Sequence, residues 1–291
     1  DVIYRPSQVE IPQSQSYNMN TQKPNQSVIS DDKETITIDY TWEDFNGKQW
    51  NLTFDVDSEL YDEYKKESRK NRNDGVEYDL NYVKFVSDKR DDLILINAIE
   101  EIVEECRNNY YSDFDIAGVF LALAQTVEYK SDILTTGYQE YPKYPIETLI
   151  DGKGDCEDTA ALLAQLLSCA EIRSVLIAYE DHMAVGVKCT PEINRGYSRC
   201  YYTVGGTRYY YAETTDPDWI IGEMPEEYFE QEDVQNYMVL SHSIKGACRN
   251  IGANDVADMA YELEELISDS AVIPYEGCSH YAYLERLNQT V

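Results

Sequence analysis

Basic residues are scarce in this sequence. Against 55 Asp and Glu there are 24 Lys and Arg, which gives a formal net charge of −31. Phosphate binding needs clustered Lys and Arg to displace counterions, so the composition excludes a nucleic-acid partner and a polybasic contact with anionic lipid. High charge can also indicate disorder, but 43% hydrophobic and 12% aromatic residues are sufficient to form a packed core.

Long apolar runs are also absent. No stretch of about 18 apolar residues occurs, so the sequence predicts no segment that spans a bilayer. The chain begins at Asp1, and we expect a signal peptide or membrane anchor upstream of it to be missing. Three glycosylation triplets, at Asn25, Asn51 and Asn288, favour an extracellular or cell-surface protein. The alternative is a reduced cytosolic chain whose thiols are mostly buried.

Metal-binding motifs are missing as well. No Cys-x-x-Cys pair occurs, and the three histidines, His182, His242 and His280, are far apart in sequence. The sequence therefore predicts no metal site and no cofactor. There is no EF-hand pattern, and weak Ca²⁺ binding by surface carboxylates is left open.

Seven cysteines are present, an odd number that suggests pairs and one unpaired thiol. Cys189 and Cys200 flank a loop between two predicted strands, which favours a cross-strand disulfide. Cys248 with Cys278 is a second candidate pair. Simple burial of the thiols is the alternative.

Periodicity divides the chain into four parts and predicts an α+β fold. Residues 1–31 are rich in Gln, Asn, Ser and Pro and predict a flexible tether. The pattern at 32–90 predicts a β-hairpin and a short helix, and the pattern at 91–225 predicts helices followed by strands. Residues 226–291 predict a mainly helical extension.

Individual elements follow from the same patterns. Alternating residues on both sides of Asn46-Gly47 predict a hairpin of Thr35–Trp42 with Gln49–Val56. Helical spacing predicts helices at 58–73, 91–109, 114–129, 156–170 and 255–267. Period-two segments predict strands at 174–179, 182–189, 199–204 and 207–215, with a turn at 205–206.

The segment Gly154-Asp-Cys-Glu-Asp-Thr-Ala160 places a cysteine at the start of a helix. Asp155 is a good N-cap, and Asp158 three residues later completes a capping-box pattern, so Cys156 falls in the first turn. A helix N-terminus favours the thiolate. The surrounding carboxylates act in the opposite direction, because negative charge raises the pKa of a thiol. A reactive Cys156 therefore needs an imidazolium nearby.

His182 is the candidate for that imidazolium. It begins an alternating strand and shares a face with the small residues Ala184 and Gly186, which leaves room for a base to reach a nucleophile. If this strand pairs with the one that carries Glu213, the carboxylate can accept a hydrogen bond from the imidazole and orient it. Each residue could also be purely structural. Cys156 could simply pack within its helix, His182 could have a structural place in its strand, and Glu213 is one of 55 acidic residues.

Three segments in this order, 154–160, 181–187 and 211–215, resemble the transglutaminase-like superfamily of cysteine enzymes. They are most similar to its microbial, largely archaeal branch, which is usually exported or membrane-tethered. The resemblance implies that residues 91–225 form the catalytic core, a papain-like unit in which a Cys-bearing helix packs on an antiparallel sheet. It also implies Cys156 as nucleophile, His182 as base and Glu213 as acid, although the superfamily more often has Asp in the third place.

Further site residues follow from the resemblance and from position. In such folds an upstream polar side chain often completes the oxyanion hole, and Gln125 and Tyr144 are the candidates here. Gly154 and Asp155 directly precede the nucleophile and are candidates for substrate binding, since glycine lets a substrate approach the backbone closely.

The function expected from these residues is acyl transfer through a Cys156 thioester. The substrate would be an amide or isopeptide bond of a protein or cell-envelope polymer, and water or an amine would resolve the thioester. The sequence does not distinguish hydrolysis from transfer. The alternative is a non-catalytic extracellular binding module on the same fold.

Overall fold

The computed structural model describes residues 27–28, 35–67, 82–86, 90, 92–179, 181–189, 200–204, 207–217, 219–225, 228 and 235–239. These residues combine helices with antiparallel sheets, which confirms the predicted α+β class. Within them, no helix is both long enough and apolar enough to cross a membrane.

The elements follow one another along the chain. They are β1 (Ser27–Val28), β2 (Thr35–Glu43), β3 (Gln49–Asp57), α1 (Ser58–Lys66), α2 (Val83–Val86), α3 (Asp92–Asn108), α4 (Asp113–Ala124), β4 (Glu128–Tyr129), α5 (Asp132–Thr135), α6 (Pro145–Asp151), β5 (Lys153–Gly154), α7 (Cys156–Cys169), β6 (Ser174–Ala178), β7 (Met183–Val187), β8 (Tyr201–Val204), β9 (Thr207–Ala212) and β10 (Gln235–Val239).

Strands β2 and β3 form the predicted hairpin. Gly47 has φ +81°, the left-handed conformation that this turn requires and that glycine adopts without a steric cost. The hairpin packs on the helices: the Trp42 indole N–H donates to the Val119 carbonyl at 2.9 Å, and the Tyr40 hydroxyl donates to the Leu149 carbonyl at 2.7 Å. An isolated hairpin is marginally stable, so these contacts are what hold it in place.

Helix α7 lies at the centre of the core. Its apolar residues Leu162, Leu163, Leu166 and Leu167 are fully buried. It packs against α3, α4 and α6 and also against β6 and β7. The N-terminus of α7, where Cys156 lies, is therefore held in a fixed position relative to the sheet.

The larger sheet has the strand order β10-β6-β7-β9-β8, and all of its pairs are antiparallel. Strand β7 pairs with β9 through Val185 opposite Ala212. Because antiparallel partners run in opposite directions, the start of β7 lies beside the end of β9. This topology places His182, directly before β7, near Glu213, directly after β9.

Several predicted boundaries shift. The helix expected to reach Tyr129 ends at Ala124, because Glu128 and Tyr129 pair with Lys153 and Gly154 as a short parallel ladder. The helix expected at 58–73 ends at Lys66 within the described residues.

The predicted Cys189–Cys200 disulfide is wrong. Both residues carry thiols in the structure, as do Cys106 and Cys169. The reason lies in the strand order, since Cys189 follows β7 and Cys200 precedes β8, and β9 lies between those strands. Two strand spacings amount to about 10 Å, which exceeds the Cα separation of a disulfide.

Several predictions fall outside the described residues. These are the tether at 1–26 and 29–31, the turn at 205–206, the Cys248–Cys278 pair and the helix at 255–267. Of the predicted helical extension, the structure describes residue 228 and strand β10, which pairs with β6.

Candidate active site

The structure brings His182 and Glu213 into direct contact. The imidazole Nε2 lies 3.0 Å from the Glu213 Oε2, and the side chains are 8% and 3% exposed. This contact depends on the pairing of β7 with β9, which is the condition under which the sequence predicts that the two side chains meet.

Glu213 is surrounded by donors. The Tyr211 hydroxyl donates to its Oε2 at 2.7 Å, while the Thr215 backbone N–H and hydroxyl donate to its Oε1 at 3.1 Å and 2.7 Å. Burial raises the pKa of Glu213, but hydrogen bonds from His182, Tyr211 and Thr215 outweigh burial and lower this pKa to about 2. Glu213 is therefore ionised at neutral pH.

Aromatic rings fix the orientation of His182. Its ring stacks on Tyr228 with centroids 4.7 Å apart and planes 12° apart, and it also lies against Tyr179 at 6.2 Å. Because Nε2 faces Glu213, Nδ1 is the nitrogen that remains for a reacting group. The carboxylate thus sets both the tautomer and the direction of the base.

Cys156 begins helix α7, as the sequence predicts, and its side chain is partly exposed. Its thiol donates to Glu157 Oε2 at 3.3 Å. The backbone N–H of Met183 lies close enough to the sulfur to lower the pKa of Cys156. Met183 directly follows His182, so the sulfur lies at the same end of β7 as the imidazole.

The surroundings of Cys156 favour the thiol over the thiolate. Burial raises the pKa of Cys156, and the charges of Glu157 and Asp155 raise it further, whereas the Met183 N–H lowers it. A partner that stabilises negative charge on sulfur is therefore needed before Cys156 can attack.

Two neighbouring acids do not form the predicted capping box. Asp155 is the N-cap of α7, but its side chain makes no capping bond and instead accepts from the Asp132 N–H at 3.2 Å. Asp158 accepts from the Lys143 backbone N–H and from its ammonium, both at 2.7 Å. Both side chains of this ion pair are fully buried. The predicted capping role of Asp158 is wrong because Lys143 engages its carboxylate.

Three carboxyl groups could hold a metal ion. Asp132, Asp155 and Glu157 each offer one oxygen, and these oxygens lie within 4.8 Å of one another. Burial raises the pKa of Asp132 to about 8, with the charges of Asp158 and Asp155 adding to the effect. The sequence did not indicate this group, because Asp132 is separated from Asp155 along the chain.

Neither predicted oxyanion side chain is positioned as such a donor. Gln125 Nε2 donates to the Glu213 and Trp219 carbonyls at 2.8 Å and 2.9 Å, so both of its N–H groups are occupied. Tyr144 donates its hydroxyl to Glu67 at 3.0 Å and stacks on Tyr64. Gln125 thereby positions the backbone of the acid residue.

Gly154 has a packing role. A Cβ at this position would lie 2.6 Å from the Asp158 Cβ, closer than real contacts allow. The glycine therefore lets the chain pass over the buried Lys143–Asp158 pair. Residues that sequence reasoning missed include Lys143 and Thr215. No local pattern identifies either residue, because two-residue side-chain turns are typical of Asn, Asp, Ser and Thr, and the acceptor here is the carboxylate of Glu213.

The comparisons with known proteins give one positive finding. A family model described as the Hpt domain, a helical histidine phosphotransfer domain of phosphorelay signalling, matches residues 220–289. No curated protein and no solved structure matches the chain. The match covers less than a third of the 291 residues, so it does not assign the whole chain to that family.

This finding corrects the resemblance stated above. The family that matches is not a transglutaminase-like one, so the predicted membership of the transglutaminase-like superfamily is wrong. Three short segments around Cys156, His182 and Glu213 carried that resemblance, and short segments can recur in unrelated chains. The described part of the Hpt match contains strand β10 and residues 220–225 and 228.

Proposed function

We propose that the chain is a thiol-dependent enzyme that transfers the acyl group of an amide or isopeptide bond through a thioester on Cys156. The observation that carries the proposal is the buried His182–Glu213 contact of 3.0 Å. It lies beside the start of α7, since the Thr214 hydroxyl is 2.9 Å from that of Thr159 in the first turns of this helix. The proposal includes a papain-like arrangement, in which the helix bearing the nucleophile packs on the sheet bearing the base. It rests on local geometry and chemistry alone.

The chemistry follows from the roles of three side chains. His182 takes the proton of Cys156, and the sulfur attacks the carbonyl carbon, so that a C–S bond forms. The first-turn N–H groups of α7 have no carbonyl partner within the helix and can stabilise the oxyanion. The C–N bond then breaks, and the imidazolium gives its proton to the leaving amine.

The second half of the reaction releases the acyl group. Water or an amine attacks the thioester and loses a proton to His182, and Cys156 leaves as a thiolate that is reprotonated. Glu213 remains ionised throughout and stabilises the imidazolium. Attack by water gives a hydrolase, and attack by an amine gives a transferase.

The proposed setting is extracellular or cell-surface, with a protein or cell-envelope polymer as substrate and an amine as possible acceptor. The net charge of −31 supports cationic amines or Lys-bearing acceptors over anionic ones. The same charge supports the absence of a nucleic-acid partner.

The test uses a glutamine-rich protein and a fluorescent amine, with amine incorporation, ammonia release and peptide release followed together. We expect activity in the wild type, none in Cys156→Ala, and a loss of about two to four orders of magnitude in Glu213→Gln. Cys169→Ala is the matched control, since Cys169 is a thiol at the other end of the same helix. Full activity in Cys156→Ala contradicts the proposal. Inactivity of the wild type, with no alkylation of Cys156, favours the non-catalytic binding module.

The Hpt match supports a second candidate for the C-terminal region. Residues 220–289 would receive and pass on a phosphoryl group through a histidine, and His242 and His280 are the histidines within the match. Incubation with a phosphorylated response-regulator domain tests this. Acid-labile phosphate that is lost in either His242→Gln or His280→Gln supports phosphotransfer. No labelling of the wild type contradicts it.

A further inference from the structure

We propose that Asp132, Asp155 and Glu157 form a binding site for a divalent cation with a preference for oxygen ligands, and that Ca²⁺ fits it. The site joins the start of α5 to the N-terminus of α7. A cation site here does not depend on the acyl-transfer function, since its role would be to bind an ion and to stabilise the fold.

The spacing of the oxygens suits such an ion. Each residue offers one carboxylate oxygen, and the three oxygens lie within 4.8 Å of one another. Ca²⁺ binds oxygens at about 2.3 to 2.6 Å, so two ligands on opposite sides of the ion are about 4.6 to 5.2 Å apart. One ion can therefore contact all three carboxylates.

Unpartnered oxygens provide an independent indication. Asp132 Oδ1 and Asp155 Oδ1 are buried and have no hydrogen-bond partner, and the two residues are 1% and 8% exposed. Buried carboxylate oxygens without donors are costly. The second oxygen of each carboxylate is already engaged, by the N–H of Tyr141 for Asp132 and by the N–H of Asp132 for Asp155.

Protein cations do not neutralise the group. Lys143, the nearest buried ammonium, pairs with Asp158 at 2.7 Å. Among the described residues, no Lys or Arg forms an ion pair with Asp132, Asp155 or Glu157. Three carboxylates next to one another are thus left for an external cation, and water would complete its coordination.

The choice of ligands decides which ions fit. Three carboxylates are hard oxygen donors, which suit Ca²⁺, Mg²⁺ and Mn²⁺ and offer no nitrogen or sulfur for Zn²⁺ or Cu⁺. The larger Ca²⁺ tolerates irregular geometry better than Mg²⁺, which demands a near-ideal octahedron. Ca²⁺ is therefore the probe of choice.

The test is calorimetric titration of the full chain with Ca²⁺ at pH 8, after chelator treatment and in about 0.15 M salt, where exposed charges further apart than about 8 Å are largely screened. We expect one saturable site per chain. Asp132→Asn and Glu157→Gln keep the shape of each side chain and should weaken binding at least about tenfold. Asp62→Asn is the control, because Asp62 is an exposed acid that pairs with Lys66 on α1, and it should bind as the wild type does.

Two measurements on the wild type keep the proposal testable if a variant does not fold. At about 100 times Kd, Ca²⁺ should raise Tm by roughly 5 °C. It should also slow amide exchange at 131–141 and 154–158 more than elsewhere. The proposal is overturned by any of three results: no saturable site, binding in Asp132→Asn and Glu157→Gln as tight as in the wild type, or protection confined to other parts of the chain.

Discussion

Asp132 and Glu213 are both buried carboxyl groups near Cys156, yet their surroundings differ. Glu213 accepts four hydrogen bonds, from His182, Tyr211 and Thr215, and its pKa falls to about 2. Asp132 has one oxygen without a partner and lies beside other acids, and its pKa rises to about 8. Burial raises the pKa of both groups, so the donors and neighbouring charges decide the outcome.

The two carboxyl groups therefore have different roles near the N-terminus of α7. The Glu213 side of the site holds a permanent negative charge that orients an imidazole. The Asp132 side concentrates carboxylates that need a proton or a cation. Asp158 is an intermediate case, because its charge raises the pKa of Asp132 while its own carboxylate is paired with the buried ammonium of Lys143.

Breaking that ion pair should have the largest effect on stability. Lys143→Met leaves Asp158 buried without its cation, and loss of one partner of a buried pair costs about 3 to 5 kcal/mol. Denaturant unfolding at pH 7 measures the change. Lys66→Met is the control, since its pair with Asp62 is exposed and should contribute less than about 1 kcal/mol. Equal losses in the two variants would show that Asp158 does not depend on Lys143.

The charge of Glu213 should contribute about 3 kcal/mol to stability at pH 7. Its pKa falls from about 4.5 in the unfolded chain to about 2 on folding, and each pKa unit corresponds to about 1.4 kcal/mol. Because the folded-state pKa is depressed, this contribution is complete above about pH 4.5 and is lost as the pH falls toward 2. Unfolding free energies of the wild type and Glu213→Gln, measured across this range, should converge at low pH. A constant difference would mean that the carboxylate charge is not the source.

Replacing Asp132 should raise the stability of the protein, whereas the two replacements above should lower it. Asp132→Asn keeps an oxygen for the Tyr141 N–H and removes a buried charge that has an unpartnered oxygen. In chelator at pH 8, we expect the variant to be more stable than the wild type by about 1 to 3 kcal/mol. Thermal unfolding measures this, and Asp62→Asn should leave Tm unchanged. A destabilised Asp132→Asn variant would contradict the view that the charge of Asp132 destabilises the fold while the charge of Glu213 stabilises it.

The smallest expected effect concerns the reactivity of Cys156. Burial and the charges of Glu157 and Asp155 raise the pKa of its thiol, so alkylation at pH 7 should be slow and should accelerate as pH rises. Added monovalent salt screens part of the field, and we expect an acceleration of less than about tenfold, since buried charges are screened weakly. Peptide mapping by mass spectrometry follows Cys156 separately from the other thiols. A rate that does not change with salt would mean that burial alone sets the pKa.

Local patterns were sufficient to predict much of the fold. Alternation predicted the β2–β3 hairpin and strands β6 to β9, and helical spacing predicted α3 and α7 within a few residues. The order of strands is not local information. That is why the Cys189–Cys200 disulfide was predicted wrongly, because only the sheet shows β9 between β7 and β8.

The candidate site was predictable to a similar extent. The contact between His182 and Glu213 could be predicted, because alternation places each residue next to a strand and requires only the assumption that the two strands pair. Contacts between residues on distant segments could not be predicted. Lys143 meets Asp158, and Asp132 meets Asp155, through the course of the chain between α5 and α7. Gln125 was predicted from a resemblance to face the substrate, and it donates to the backbone of Glu213 and Trp219.

The central claim is that Cys156 carries the acyl group, and its most direct test is mass spectrometry of the acid-quenched protein after brief incubation with a glutamine-containing peptide. The account predicts an adduct with the mass of the peptide minus ammonia, mapped to Cys156 in the wild type and in Cys169→Ala and absent from Cys156→Ala. An adduct on another cysteine, or turnover that continues unchanged in Cys156→Ala with no adduct, would contradict it.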